Sequence, residues 1–190
     1  MKLAAIDVGS NAARLLITEV TETEKGPEFQ KLNLLRIPLR LGFDVFDTGD
    51  IPAAKVEMMS KTFRAYKLLM DIYGVEKHIA CATSAMRDAA NAEEIIKRIK
   101  FETGINLQVI SGDEEAQVIY ENHIAEHLDK ENSYLYVDVG GGSTEMSFFS
   151  NGKMVYKHSF NIGTIRLLQN AVSETDWTVM KEAIRFVTKG

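Results

Sequence analysis

Two segments carry the same set of groups that could handle a phosphate. Asp7-Val8-Gly9-Ser10-Asn11 and Asp138-Val139-Gly140-Gly141-Gly142-Ser143-Thr144 each close a short apolar run. Glycine lets backbone N–H groups approach an anion, and Ser, Thr and Asn side chains add donors. The same residues also suit hairpin turns, where glycine serves only the backbone. Their paired occurrence, each with an aspartate in front, favours phosphate binding. Neither loop is a P-loop, and Gly140-x-Gly142 fails the dinucleotide fingerprint because Glu145 stands at the third-glycine position. Asp7, Asp138 and Glu145 are hard carboxylates of the kind Mg²⁺ takes alongside water and phosphate oxygens. The alternative for the two aspartates is that they satisfy turn N–H groups.

Ser111-Gly112-Asp113-Glu114-Glu115-Ala116 lies between an expected strand and an expected helix. Acids in a first helical turn commonly complement the helix dipole. A carboxylate there can also orient and deprotonate a water. Thr83-Ser84-Ala85-Met86-Arg87-Asp88-Ala89 offers a similar choice. Arg87 either pairs with Asp88 or Glu94, or clamps a phosphate with its fork of donors. His123-Ile124-Ala125-Glu126-His127 matches H-x-x-E-H, a zinc pattern. Such a site needs a third ligand from a downstream helix, and the surroundings do not resemble a metalloprotease core. The segment is read as a solvated helix face, and Cys81, inside an apolar strand, as a core residue.

The elements that must position these groups follow from hydrophobic periodicity. Leu3 to Val8, Leu15 to Val20 and Phe29 to Leu41 read as strands, and Gly42 to Pro52 as a loop. Val56, Met59, Phe63, Tyr66, Leu69 and Tyr73 recur at helical spacing. His78 to Ala82 is a fourth strand, Ala92 to Thr103 a helix stopped by Gly104, and Ile105 to Ile110 a fifth strand. A helix is expected from Asp113 to Leu128. After Ser133 the pattern restarts, with strands at Tyr134 to Val139, Glu145 to Phe149 and Met154 to Phe160. Helical patterns then cover Thr164 to Ala171 and Asp176 to Val187. Ile6-Asp7-Val8-Gly9 is matched by Val137-Asp138-Val139-Gly140, 131 positions later. This predicts an α/β protein with an antiparallel sheet edge and a parallel interior, built from two copies of one βββα-type unit. The second copy runs out of chain, so a fragment of a longer protein is expected.

Composition agrees with a globular protein. The 190 residues are 45% hydrophobic and 26% charged, and 22 basic against 27 acidic residues leave a net charge of −5. That balance argues against a general nucleic-acid binder. A single cysteine excludes an intrachain disulfide framework. No apolar run is long enough to span a membrane, and the N-terminus meets Asp7 too early for a signal peptide. A cytoplasmic protein is expected.

Together, the segments at 5–11, 82–89, 109–116 and 137–145 resemble the exopolyphosphatase/guanosine pentaphosphate phosphohydrolase (Ppx/GppA) family, of the actin-like ATPase, sugar kinase and Hsp70 superfamily. They occur in family order over nearly the whole chain. The resemblance implies two repeated actin-like (ribonuclease H-like) βββαβαβ units around a cleft, residues 1–113 and 114–190, the second incomplete. It implies Mg²⁺- or Mn²⁺-dependent hydrolysis of a terminal phosphate from guanosine pentaphosphate or inorganic polyphosphate. Glu115 would be the catalytic base and Arg87 the charge-offsetting arginine. Gly9, Ser10, Asn11, Gly140, Gly141, Gly142, Ser143 and Thr144 would bind phosphate, with Asp7, Asp138 and Glu145 for the metal. Neither nucleic acid nor a membrane is an expected partner, and a homodimer stays open. The sequence departs from the family at Ala12, where serine is common, and at Leu41-Gly42-Phe43-Asp44-Val45, where the family has a Leu-Gly-x-Gly-Leu loop. The competing readings are a sugar-kinase-like or actin-like ATPase and a non-catalytic phosphate or nucleotide sensor.

Overall fold

Alternation along the first strands decides where the core lies. In β1 (Lys2–Val8) the side chains of Ala4, Ile6 and Val8 point inward and are buried. In β2 (Ala13–Thr23) Ala13, Leu15 and Ile17 do the same. Each such branched chain contributes about 1.5–3 kcal/mol by leaving water. A computed structural model describes residues 1–24, 26–115, 117, 131–151 and 153–187. These form two compact units, Met1–Val109 and Ile110–Gly190, where the sequence reading puts the boundary after 113.

Unit 1 is a five-stranded sheet in the order β3-β2-β1-β4-β5, completed by β3 (Gly26–Ile37), β4 (Lys77–Ala82) and β5 (Leu107–Val109). β2 pairs antiparallel with β1 and β3, while β1, β4 and β5 run parallel, which is the expected antiparallel edge and parallel interior. α2 (Ala53–Tyr73) lays Met59, Phe63 and Tyr66 of the predicted stripe on the core together with Met70, while Val56, Leu69 and Tyr73 pack partly buried against it. α4 (Ala92–Thr103) ends as expected at Gly104, which takes the left-handed conformation at φ 74°.

Two short helices depart from the sequence reading. The stretch read as a loop after Leu41 contains α1 (Gly42–Thr48), and α3 (Ser84–Asp88) follows β4 directly. Neither start carries a side-chain cap. α1 is instead begun by a distant carbonyl, the Gly42 N–H donating to Ser10 O at 2.8 Å, while Val45 enters the core. No local signal announces such a start.

Unit 2 holds an antiparallel sheet in the order β6-β7-β8, formed by β6 (Tyr134–Val139), β7 (Thr144–Ser150) and β8 (Lys153–Phe160). α5 (Thr164–Leu168) and α6 (Glu174–Val187) follow. Met146, Phe160 and Ile162 pack with Val172, Trp177, Met180 and Ala183 to make its core. Residues 112–115 begin a helix, but most of the helix expected to run to Leu128 lies outside the described residues. Among the described residues no helix is long and apolar enough to cross a membrane.

Candidate functional site

Both glycine loops are hairpin connections with the same register. Val8 pairs with Ala13 and Asp7 with Arg14 around the first, and Val139 pairs with Thr144 and Asp138 with Glu145 around the second. Each is closed by the same bond: Gly9 N–H to Ala12 O at 3.0 Å, and Gly140 N–H to Ser143 O at 2.9 Å. The leading glycine's donor is therefore spent inside the turn. The N–H groups of Ser10, Asn11, Gly141 and Gly142 make no hydrogen bond among the described residues.

In unit 1 the first loop is fixed from three sides. The buried Ser10 hydroxyl lies 2.8 Å from Ser84 Oγ, tying the loop to the start of α3. Arg40 N–H donates to Asn11 O at 2.8 Å. Buried Tyr66 on α2 donates its hydroxyl to Ala13 O at 3.0 Å, where β2 begins. Burial, and the nearby charge of Asp7, push the Tyr66 phenol up to about 12. Asp7 itself accepts from Arg14 Nη1 at 2.8 Å across the strand pair. Arg87 sits half-buried on α3 and lines a cleft of about 930 Å³, together with Asp50, Glu93, Glu94 and Lys97.

In unit 2 a close approach seats the Glu115 turn on the sheet. A Cβ on Gly112 would collide with the Ser159 side chain on β8, so only glycine fits there. Ser159 Oγ in turn donates to Glu145 Oε1 at 2.8 Å on β7, and Glu145 is buried. Asp138 is the direct cross-strand partner of Glu145, which puts both carboxylates on one sheet face. The second glycine loop is held by Arg166, whose Nε donates to Gly142 O at 2.7 Å. Gly163 backs it, since a Cβ there would meet the Gly141 backbone at 2.5 Å. Thr144 donates its buried hydroxyl to Ile162 O, and Ser143 is buried beside it.

The acids of the Ser111 turn divide their work. Ser111 N–H donates to Glu114 Oε2 at 2.7 Å, and Glu114 N–H donates to Ser111 Oγ at 3.2 Å. This is a capping box, whose Ser-x-x-Glu spacing the sequence carries although the reading of it there is a dipole complement. These bonds to Ser111 hold the Glu114 carboxyl below its ordinary range. Glu115, the next residue, stands outside the box and is half-buried.

Within unit 2 the structure thus joins Asp138 and Glu145 directly, and links Glu115's turn to them through Gly112 and Ser159. Within unit 1 it joins Ser10 to the Arg87 helix, while Asp7 is engaged by Arg14. Arg40, Ser159 and Arg166 have no sequence signal, because only tertiary contact gives them a part, and Ser84 lies in a stretch the sequence singles out for Arg87. Among the described residues no group of three or more His, Cys, Asp or Glu side chains is arranged to hold a metal. Mg²⁺ needs only one or two carboxylates when phosphate and water supply the rest, and the Asp138–Glu145 pair fits that requirement. His123 and His127 lie outside the described residues.

A mixed α/β fold of this topology is that of actin-like proteins. The sequence profile of the Ppx/GppA phosphatase family matches residues 17–189, and the chain belongs to that family. It is 35% identical over 170 residues to the bifunctional 3-dehydroquinate synthase/phosphatase of Fusobacterium nucleatum, covering 87% of this chain and 26% of that protein. It is 30% identical over 147 residues to exopolyphosphatase 1 of Mycobacterium tuberculosis, covering 77% of this chain and 42% of that one. Among solved structures, the Aquifex aeolicus Ppx/GppA family member aligns at a TM-score of 0.76 and 30% identity, over 97% of this chain and 60% of that chain. An exopolyphosphatase from Cytophaga hutchinsonii aligns at 0.77 and 27% identity, over 100% of this chain and 61% of that chain. The chain spans less than two thirds of the length of each of these relatives.

Proposed function

We propose that the protein is a Mg²⁺- or Mn²⁺-dependent phosphoanhydride hydrolase that removes a terminal phosphate from guanosine pentaphosphate or inorganic polyphosphate. Family membership supports a phosphatase. The observation that carries the reading is the matched pair of hairpins, each closed by its leading glycine and each with two uncommitted N–H groups. Anion binding by such groups needs no reorganisation when charge moves onto the phosphate oxygens during reaction.

The residues then take distinct parts. In unit 1, Ser10 and Asn11 hold phosphate oxygens through their N–H groups and the Arg87 fork offsets charge, while in unit 2 Gly141 and Gly142 offer the same kind of donors. Glu115 accepts a proton from a water whose oxygen attacks the terminal phosphorus. The bond from phosphorus to the bridging oxygen breaks, and that oxygen leaves with the shortened substrate. Glu114, fixed by Ser111, sets the start of the helix that carries Glu115. Asp138 and Glu145 are the residues of unit 2 that would hold Mg²⁺, while Asp7 in unit 1 is engaged by Arg14. An ion held there would supply charge neutralisation for the phosphate oxygens. Catalysis of this kind is mainly placement and electrostatics.

The proposed setting is the cytoplasm, with a small phosphorylated substrate as partner rather than nucleic acid or membrane; self-association as a homodimer is open. The test is phosphate release from inorganic tripolyphosphate, guanosine pentaphosphate and ATP, with Mg²⁺ and with excess chelator. Metal-dependent release from either of the first two, faster than from ATP, is expected. Preference for ATP would favour the kinase-like reading, and tight binding without release the sensor.

A further inference from the structure

Arg40 holds a backbone conformation that arginine does not favour. Its φ is 55°, in the left-handed region, where a Cβ crowds the following carbonyl. The other described residues with positive φ are glycines or the asparagines Asn151 and Asn170, the types that tolerate it. Nothing in the backbone there asks for a long cation. The Arg40 N–H donates to Asn11 O, and Lys55 Nζ donates to Arg40 O at 2.6 Å; any residue with a peptide group could make both bonds. Glycine would make them without strain.

The side chain accounts for what the backbone does not. Arg40 is exposed, and among the described residues its guanidinium makes no ion pair. Asp44, four residues along, is already engaged by Lys55. The residue is bonded through its own backbone to Asn11, whose N–H is one of the uncommitted loop donors. An unneutralised fork of donors is therefore tethered to the rim of the first phosphate loop. Strain retained at such a place points to function.

We propose that Arg40 is a specificity-determining residue whose guanidinium binds a substrate phosphate next to the one held by the first glycine loop. The inference rests on the hydrolase reading and adds a phosphate contact beyond the terminal group. It selects for ligands with at least two linked phosphates, since a single phosphate held by the loop leaves Arg40 unmatched.

The experiment measures equilibrium binding of inorganic tripolyphosphate and of orthophosphate to the chain and to Arg40→Gly and Arg40→Lys, with phosphate release and thermal midpoint followed in parallel. Arg40→Gly keeps both backbone bonds and removes the strain, so its midpoint stays at or above the parent's. Its tripolyphosphate Kd rises about 10- to 100-fold, the loss of one charge-assisted contact, while orthophosphate binding changes little. Arg40→Lys recovers part of the loss, because a point charge replaces a planar fork. Equal tripolyphosphate affinity in parent and Arg40→Gly, with hydrolysis intact in the parent, overturns the role of Arg40 and leaves the hydrolase reading standing. A parent chain that neither binds nor hydrolyses tripolyphosphate overturns both.

Discussion

The hydroxyls of Ser10 and Ser84 meet at 2.8 Å in a buried hydrogen bond, one from the first glycine loop and the other from the opening residue of the Arg87 helix. Arg87 lies one turn further along, its N–H donating to Thr83 O at 3.0 Å. Loop and arginine are thus set against each other by two small side chains. Removing one partner strands the other, and a buried unsatisfied hydroxyl costs about 1–3 kcal/mol. Ser84→Ala is therefore expected to lower unfolding stability by that amount. The double variant Ser10→Ala/Ser84→Ala should lose less than the two single losses added together. Denaturant titration of all four proteins measures the coupling, and strict additivity would mean the pair does not act as one.

Two adjacent glutamates should behave in opposite ways. Glu115→Gln keeps shape but removes the proposed base, so turnover is expected to fall about 10²–10⁴-fold with substrate Kd nearly unchanged. Glu114→Gln breaks the charged half of the capping box while keeping Glu115, so it should weaken the helix start and alter kcat far less. The depressed Glu114 carboxyl also gives a pH signature. A carboxyl lowered by folding contributes stability above its unfolded value and loses it as pH falls through the folded one. Acid unfolding of Glu114→Gln should lack that component. Equal turnover in Glu115→Gln and the parent would reduce Glu115 to a helix-start charge.

Much of this arrangement is legible in the amino-acid sequence, for identifiable reasons. β1 and α4 declare themselves through local pattern: an apolar run closed by Gly9 in one, and a helical pattern stopped by Gly104 in the other. The glycine loops are visible because the same residue types recur at one offset. What stays hidden depends on contacts between distant residues. α1 has no local start signal because Ser10 O supplies one. The strain at Arg40 and the fit of Gly112 against Ser159 exist only once the chain is folded. The Ser111–Glu114 box is the exception, since its spacing is local and a dipole complement shares the same acidic residues.

For the metal, the prediction turns on Asp138 and Glu145. Asp138→Asn removes one of two hard donors, so activity should survive but need roughly tenfold more Mg²⁺ or above. Glu145→Gln should do the same and also disturb the bond from Ser159, which holds the carboxylate at 2.8 Å. Activity against Mg²⁺ concentration, measured for each variant, separates a raised metal requirement from a lowered maximum. Full activity of the parent in excess chelator would remove the metal from the reading.

Tyr66 offers a test at high pH. Its phenol is raised to about 12 by burial and by the Asp7 charge, from an ordinary value of 10.0. Folding therefore favours the protonated form. The contribution is complete below the unfolded value and is lost as pH rises from about 10 towards about 12. Stability of the parent should fall more steeply over that window than stability of Tyr66→Phe. At neutral pH the variant should be less stable by about 1 kcal/mol, for the lost bond to Ala13 O. Parallel stability–pH curves would show that the phenol is not held protonated by the fold.

The last prediction concerns substrate length. Holding a long polyanion requires many cations left free along a track. Most basic residues of α2 and α4 are instead paired locally. Arg98 reaches Glu57 at 2.5 Å and Glu102 at 2.7 Å, Arg64 lies 3.5 Å from Glu57, and Lys97 lies 3.4 Å from Glu93. Beside Arg87, the cleft carries Asp50, Glu93 and Glu94 against Lys97, so its rim repels a run of phosphates as much as it attracts one. This surface should therefore favour short ligands held at their terminal groups, guanosine pentaphosphate or tripolyphosphate, over long chains. Comparing kcat/KM for tripolyphosphate and for polyphosphate of several hundred units, at low and high salt, decides the matter. A higher kcat/KM for tripolyphosphate than for the long chain, with a shallow salt dependence for both, is expected. A strong preference for the long chain that collapses in salt would require a basic track beyond the residues described.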